Sequence, residues 1–178
     1  MNREDDKMKK GLKIIYWLIL LFYIFLLLDT VFFSRDSLRS VNLIPFHSIK
    51  EYIMVDNGFG EYRLVDMNIW GNVLMFIPLG IYLLVHGKNL SLTKCVLLII
   101  GSSVFIEIVQ FIFAKGAADI DDVILNSLGG LIGMAIYLIF AKIFKTDEKI
   151  KMAIAILSML VGIPMLLLVM ILVAVNYS

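Results

Sequence analysis

Cysteine, histidine and charge are all scarce in this chain, and each scarcity removes a class of explanation. There is one cysteine, Cys95, in 178 residues, so no intrachain disulfide can form, and Cys95 reads as a small apolar helix residue. The two histidines, His47 and His86, have no companions at metal-ligand spacing. His47 reads as an interfacial loop residue, His86 as a residue at an inner helix end. No HExxH motif, Ser-His pair or phosphate-cradling glycine loop occurs, so the common signatures of hydrolytic and nucleotide chemistry are missing. No internal repeat is visible. Charged residues make up only 17% of the chain and the formal net charge is +1, so any electrostatic information lies in where the charges fall.

What the chain has in abundance is apolar surface. It is 61% hydrophobic, with twelve Phe and ten Met, well beyond the apolar share of a soluble domain. Windows long enough to cross a hydrocarbon core of roughly 30 Å appear five times. They run over 12–33, 69–85, 92–114, 123–144 and 152–175. The fold class expected is therefore all-α: a polytopic helical membrane protein with about five transmembrane helices. The first window follows Lys7, Lys9, Lys10 and Lys13 as a signal peptide would. It is too long for one and lacks a small-residue cleavage site, so it reads as an uncleaved anchor. The second carries Pro78 and Gly80, which suggests a kinked or broken helix. The fifth is nearly pure aliphatic and contains Pro164. The organisation expected is a cytoplasmic tail over 1–11, a transmembrane core over 12–144, and a cytoplasmic loop with the fifth helix over 145–178.

The distribution of Lys and Arg orients this bundle. With the N-terminus inside, the inner set is Arg3, Lys7, Lys9, Lys10, Lys13, Lys88, Lys94, Lys142, Lys145, Lys149 and Lys151, against Arg35, Arg39, Lys50, Arg63 and Lys115 outside. Eleven against five favours N-terminus in and C-terminus out. Polar residues then collect at one side. Glu107 and Gln110 share a face of the third span at i, i+3, with Glu107 about 10 Å below its outer end at 1.5 Å per residue, and Ser103 joins them one turn below. Asp122 and Asn126 occupy the outer first turns of the fourth span, preceded by Asp119 and Asp121. Asn72 lies one turn into the second span with Asn68 above it, and Asp29 is near the outer end of the first. Ionisable groups in membrane spans are costly and face a bundle interior, a partner or a water-filled cavity.

Each piece also has a plainer explanation. Asp121 and Asp122 open a helix, where carboxylates suit the free N–H groups and the positive end of the dipole; taken alone, that is the stronger reading. Gly129 and Gly133, with Gly130 beside them, form a GxxxG step and read as packing. Asn72 and Asn126 can simply bond across helices. Glu107 resists such an account, because a carboxylate at that depth requires a cation, a proton or a set of donors.

The only long connector, 34–68, holds the stretch Asn42-Leu43-Ile44-Pro45-Phe46-His47-Ser48-Ile49. It is too apolar for a solvated loop and too short to span, so it reads as an interfacial or re-entrant segment capping the polar cluster. Beyond it, Asn57-Gly58 is a turn signal, and Tyr52, Tyr62 and Trp70 suit a headgroup belt.

The runs NLIPF at 42–46, NIWGNVLMFIPLGIYL at 68–83 and FIEIVQFIFAKGAADIDDVILNSLGGLIG at 105–133 together resemble the VanZ-like membrane proteins, over about Val41 to Tyr137. The resemblance implies a bacterial cytoplasmic-membrane protein, and the family's named member is associated with resistance to teicoplanin, a lipoglycopeptide that targets cell-wall precursors. Family members often carry Arg in the loop before the acidic motif. Lys115 stands there in this chain, and a clamp relying on bidentate geometry would be weaker with Lys.

Two mechanistic classes follow. In the first, which the residues favour, a binding protein holds an outer-leaflet headgroup, a lipid-linked cell-wall precursor or a lipoglycopeptide. Its candidate residues are Asn42, Asn68, Asn72, Glu107, Gln110, Lys115, Asp119, Asp122 and Asn126, with amides supplying donors and acceptors. In the second, a membrane enzyme acts on a lipid-linked or headgroup substrate, with Glu107 as general base and Asp122 as second acid/base or metal ligand. An oligomeric conduit and a purely structural scaffold are the remaining classes. No cofactor, resident metal or nucleic-acid partner is expected; the bilayer itself is a partner.

Overall fold

The computed structural model describes residues 3–32, 39–56, 62–65, 67–87, 89–114 and 116–177. Helix α1 spans Arg3–Phe32, α2 His47–Tyr52, α3 Met67–His86, α4 Leu92–Ile112, α5 Ile120–Phe144 and α6 Asp147–Tyr177. Four short strands lie between them: β1 Arg39–Asn42, β2 Ile53–Asp56, β3 Tyr62–Val65 and β4 Gly116–Asp119. Among the described residues, the stretches Asn68–His86, Leu92–Ile112, Ile120–Phe144 and Asp147–Ile171 are long and apolar enough to cross a membrane, and α1 adds a shorter apolar stretch, Ile14–Asp29. The protein is a polytopic helical membrane protein.

The helix boundaries follow local chemistry. Ser91 caps α4 by accepting the Lys94 N–H at 3.3 Å, the usual role of serine at that position. Of the kink or break suggested for the second span, the break does not occur: α3 runs uninterrupted through Pro78. Its glycine has a different use, since a Cβ at Gly80 would collide with the carbonyl of Gly130 on α5.

The chain divides into two compact units. One comprises residues 1–28 and 139–178. Within it Gly162 of α6 packs against Ile19 of α1, Tyr16, Ile150, Ile154 and Ala155 are buried, and Leu21, Phe25, Leu160 and Ile171 are exposed, as lipid-facing residues of a membrane helix are. The other unit, 29–138, contains α2, α3, α4, most of α5 and all four strands. Its apolar centre is formed by Phe76 and Leu84 of α3, Cys95 and Ile99 of α4, and Met134 of α5.

Contacts within this unit fix helix direction. Side chains at Gly129 and Gly133 would overlap the carbonyls of Val73 and Ile77, so α3 and α5 run parallel at backbone contact. Ile99 packs on Gly130 while Ser103 meets Asn126 further along, so α4 runs antiparallel to α5. The GxxxG step is thus the packing device it resembles.

The strands were not anticipated. β2 and β3 form an antiparallel pair (Ile53↔Val65, Val55↔Arg63, Asp56↔Tyr62), and the Asn57-Gly58 turn signal between them lies outside the described residues. β1 pairs in parallel with β4, with Asn42 opposite Asp119. That pairing draws the connector onto the start of α5.

Candidate functional site

The buried stripe of α4 is Cys95, Ile99, Ser103, Glu107 and Gln110, one residue per turn. It changes character half-way: apolar toward the helix start, polar toward its end. The buried face of α5 mirrors it in reverse, with Asp121, Asp122 and Asn126 in the first turns and Gly129, Gly130, Gly133 and Met134 after them. On α3, Asn72 is buried near the helix start, above Val73 and Phe76. Because α4 runs opposite to α3 and α5, the three polar segments lie at one end of the unit, over the apolar centre.

Hydrogen bonds tie this layer together. Glu107 Oε2 accepts the backbone N–H of Asp119 at 3.0 Å. Asp119 Oδ1 accepts Asn42 Nδ2 at 3.1 Å and the N–H of Asp121 at 2.9 Å, and Asp119 Oδ2 accepts the Ser48 hydroxyl. Asn42 Nδ2 also donates to Ser48 Oγ at 2.9 Å, and Asn42 Oδ1 accepts the Ile44 N–H at 3.1 Å. Asp121, only 1% exposed, accepts the Phe46 N–H at 2.5 Å on one oxygen and the Ile49 N–H at 3.1 Å on the other. Asn72 Nδ2 donates to Asp122 Oδ1 at 2.5 Å, and Asn126 Nδ2 donates to Ser103 Oγ at 2.9 Å.

The carboxylates therefore divide. Asp119 and Asp121 clamp the 42–49 connector onto the start of α5 and are met by uncharged donors. Burying such groups is tolerable only with partners of this kind. Two amide oxygens stand apart: Gln110 Oε1 and Asn126 Oδ1 are buried and accept no hydrogen bond from the described residues.

Of the residues singled out from sequence, Asn42, Asn72, Glu107, Gln110, Asp119, Asp122 and Asn126 all belong to this layer. Asn68 is exposed at the start of α3, and Lys115 lies outside the described residues. The plain helix-start explanation of Asp121 is replaced by a longer-range one, since its oxygens are taken by the connector. Sequence reasoning missed Ser48 as a component, and the N–H groups of Phe46 and Ile49. The capping segment was legible, but nothing in its pattern marked Ser48. Among the described residues, no three or more His, Cys, Asp or Glu side chains are grouped so as to hold a metal ion.

The family model described as VanZ/LLP1 matches residues 13–141, a stretch that contains every member of the polar layer. The chain belongs to the VanZ/LLP1 family. Among curated proteins, it is similar to Protein VanZ of Enterococcus faecium, with 38% identity over 100 residues, 56% of this chain and 53% of that protein. The chain thus spans about half the length of the curated relative it matches. No solved structure matches it. As a VanZ/LLP1 member with several apolar helices, it is a multi-pass membrane protein.

Proposed function

We propose that this VanZ-like protein contributes to resistance against teicoplanin-type lipoglycopeptides by binding a polar cell-envelope ligand at the layer formed by Asn72, Ser103, Glu107, Gln110, Asp122 and Asn126. One observation carries the reading. Polar side chains from three helices converge at one end of a membrane unit, and two of their acceptors have no partner among the described residues. Helix association alone accounts for the bonded pairs; it does not account for amide oxygens sealed away unbonded, which cost stability. On the Lys/Arg distribution this end faces outward, the side from which a lipoglycopeptide approaches the cell. Occupying such a ligand would alter an antibiotic's access to it.

The test is teicoplanin susceptibility of a sensitive cell expressing the chain, beside Gln110→Leu and Asn126→Leu at matched membrane levels. Protection by the wild type that is lost in both variants is the expected result. Full protection by well-expressed variants would overturn the reading.

A further inference from the structure

Many donors of the polar layer are engaged inside the protein: Asn42 Nδ2 on Ser48 and Asp119, the Ser48 hydroxyl on Asp119, Asn72 Nδ2 on Asp122, and Asn126 Nδ2 on Ser103. Two of its acceptors are not. Gln110 is 2% exposed and Asn126 1%, and Gln110 Oε1 and Asn126 Oδ1 accept nothing from the described residues. Gln110 sits on the α4 face that carries Glu107 into the cluster. Asn126 lies one turn beyond Asp122 on the facing surface of α5. Both acceptors are therefore set among carboxylates, where an incoming anion meets further acceptor oxygens.

A second feature bears on the rest of the ligand. The connector clamped by Asp119 and Asp121 presents Leu43, Ile44 and Phe46 outward, at 71%, 64% and 52% exposure, while its inner side bonds the carboxylates. An apolar surface thus borders the acceptor-lined layer, as an amphiphile requires.

We propose that this site recognises a hydrogen-bond-donating lipid headgroup, bearing hydroxyls or an ammonium, through Gln110 Oε1 and Asn126 Oδ1, and rejects anionic headgroups. The proposal rests on the binding function above and narrows it to a ligand class. Of the donors and acceptors expected from the amides of Asn72, Gln110 and Asn126, it assigns the binding role to acceptors, and it gives the unpaired oxygens a purpose. Neither a phosphate nor a carboxylate satisfies an amide carbonyl; a sugar hydroxyl or an ammonium does.

The experiment reconstitutes the full chain in phosphatidylcholine nanodiscs, whose headgroup carries no donor. Three lipids are added in turn: a diglucosyl diacylglycerol for hydroxyls, phosphatidylethanolamine for ammonium, and phosphatidylmethanol as an anion without donors. Lipid retention is read by native mass spectrometry. At least one donor lipid is retained about tenfold over phosphatidylmethanol, as expected for a hydrogen bond made in a buried site; which one identifies the source. Gln110→Leu and Asn126→Leu abolish the preference. Gln110→Glu, which puts a second acceptor oxygen in place of the amide nitrogen and adds negative charge, preserves it. The thermal midpoint of Gln110→Leu in phosphatidylcholine alone rises above wild type, because an unmet buried acceptor has gone, so loss of retention in that variant is not misfolding. Preferential retention of phosphatidylmethanol would overturn the donor class while leaving a binding site in place. Equal retention of all three lipids by wild type and variants would overturn the binding function itself.

Discussion

The Asp121 carboxylate and the backbone N–H of Phe46 meet at 2.5 Å across 75 positions of sequence, and Phe46 holds a left-handed φ of 64°. For a bulky side chain that conformation costs roughly 1–2 kcal/mol, so the bond fixes a turn the connector would not choose on its own. The same carboxylate secures Ile49. Asp121 is thus a positioning residue for the connector and has no oxygen free of it.

Asp121→Asn is predicted to release the connector. An asparagine accepts through one oxygen only, so one of the two N–H groups faces a donor. The loss is about 3 kcal/mol, a charge-assisted bond plus an unmet donor. Thermal unfolding of the purified protein measures it. Labelling of an Ile44→Cys variant by a water-soluble maleimide should change with Asp121→Asn; the natural Cys95 is fully buried and contributes little background. Unchanged stability and labelling would remove Asp121 from this role.

Asn72 and Asp122, 2.5 Å apart, should behave as a coupled pair. Asn72→Leu leaves a buried carboxylate oxygen without its donor, and Asp122→Leu leaves a buried amide. Replacing both removes the polar partners together. A double-mutant cycle on thermal stability should return a coupling of about 0.5–3 kcal/mol. Additive effects would mean that the two side chains act independently.

Gly129→Val and Gly133→Val should separate α3 from α5. Each introduces a side chain where the carbonyl of Val73 or Ile77 already stands, and backbone cannot yield as a flexible side chain does. Overpacking of this kind costs about 1–3 kcal/mol. Gly101, which has open space around it, is the control: Gly101→Ala in α4 should leave stability unchanged or improve it, by up to about 1 kcal/mol through helix propensity. Equal effects at the three positions would contradict the close approach.

A reporter fused after Tyr177 should register outside the cell, and one placed in the loop between α3 and α4 inside. Both follow from the excess of Lys and Arg on the inner side. A cytoplasmic signal at the C-terminus would reverse the sidedness on which the proposed outward-facing site depends.

The spans were legible because hydropathy over a twenty-residue window needs no knowledge of tertiary structure. Expected and observed limits for α3, α4 and α5 differ by a few residues, the range over which helix ends fray. The shared face of Ser103, Glu107 and Gln110 was also legible, because i, i+3 and i, i+4 positions coincide on any helix. Partners were another matter. Spacing places Asn126 beside Asp122, but not the fact that its amide turns to Ser103. Nor does it reveal Ser48 or the β1–β4 pairing, because four-residue strands far apart in sequence carry too little local pattern to announce one another. The paired-strand register decides which acidic residues are structural, and it is invisible to periodicity.

Asn42 and Asp119 are 77 positions apart, and this distance sets a timetable for biogenesis. A ribosome delivering the chain N-terminus first must release the connector, α3, α4 and β4 before the connector has anything to hold. Until the beginning of α5 emerges, Glu107 lacks the N–H of Asp119 and the 42–49 segment lacks both of its anchoring carboxylates. The polar layer therefore cannot close before the start of α5 has been synthesised, and its closure joins the connector to the membrane segments made after it.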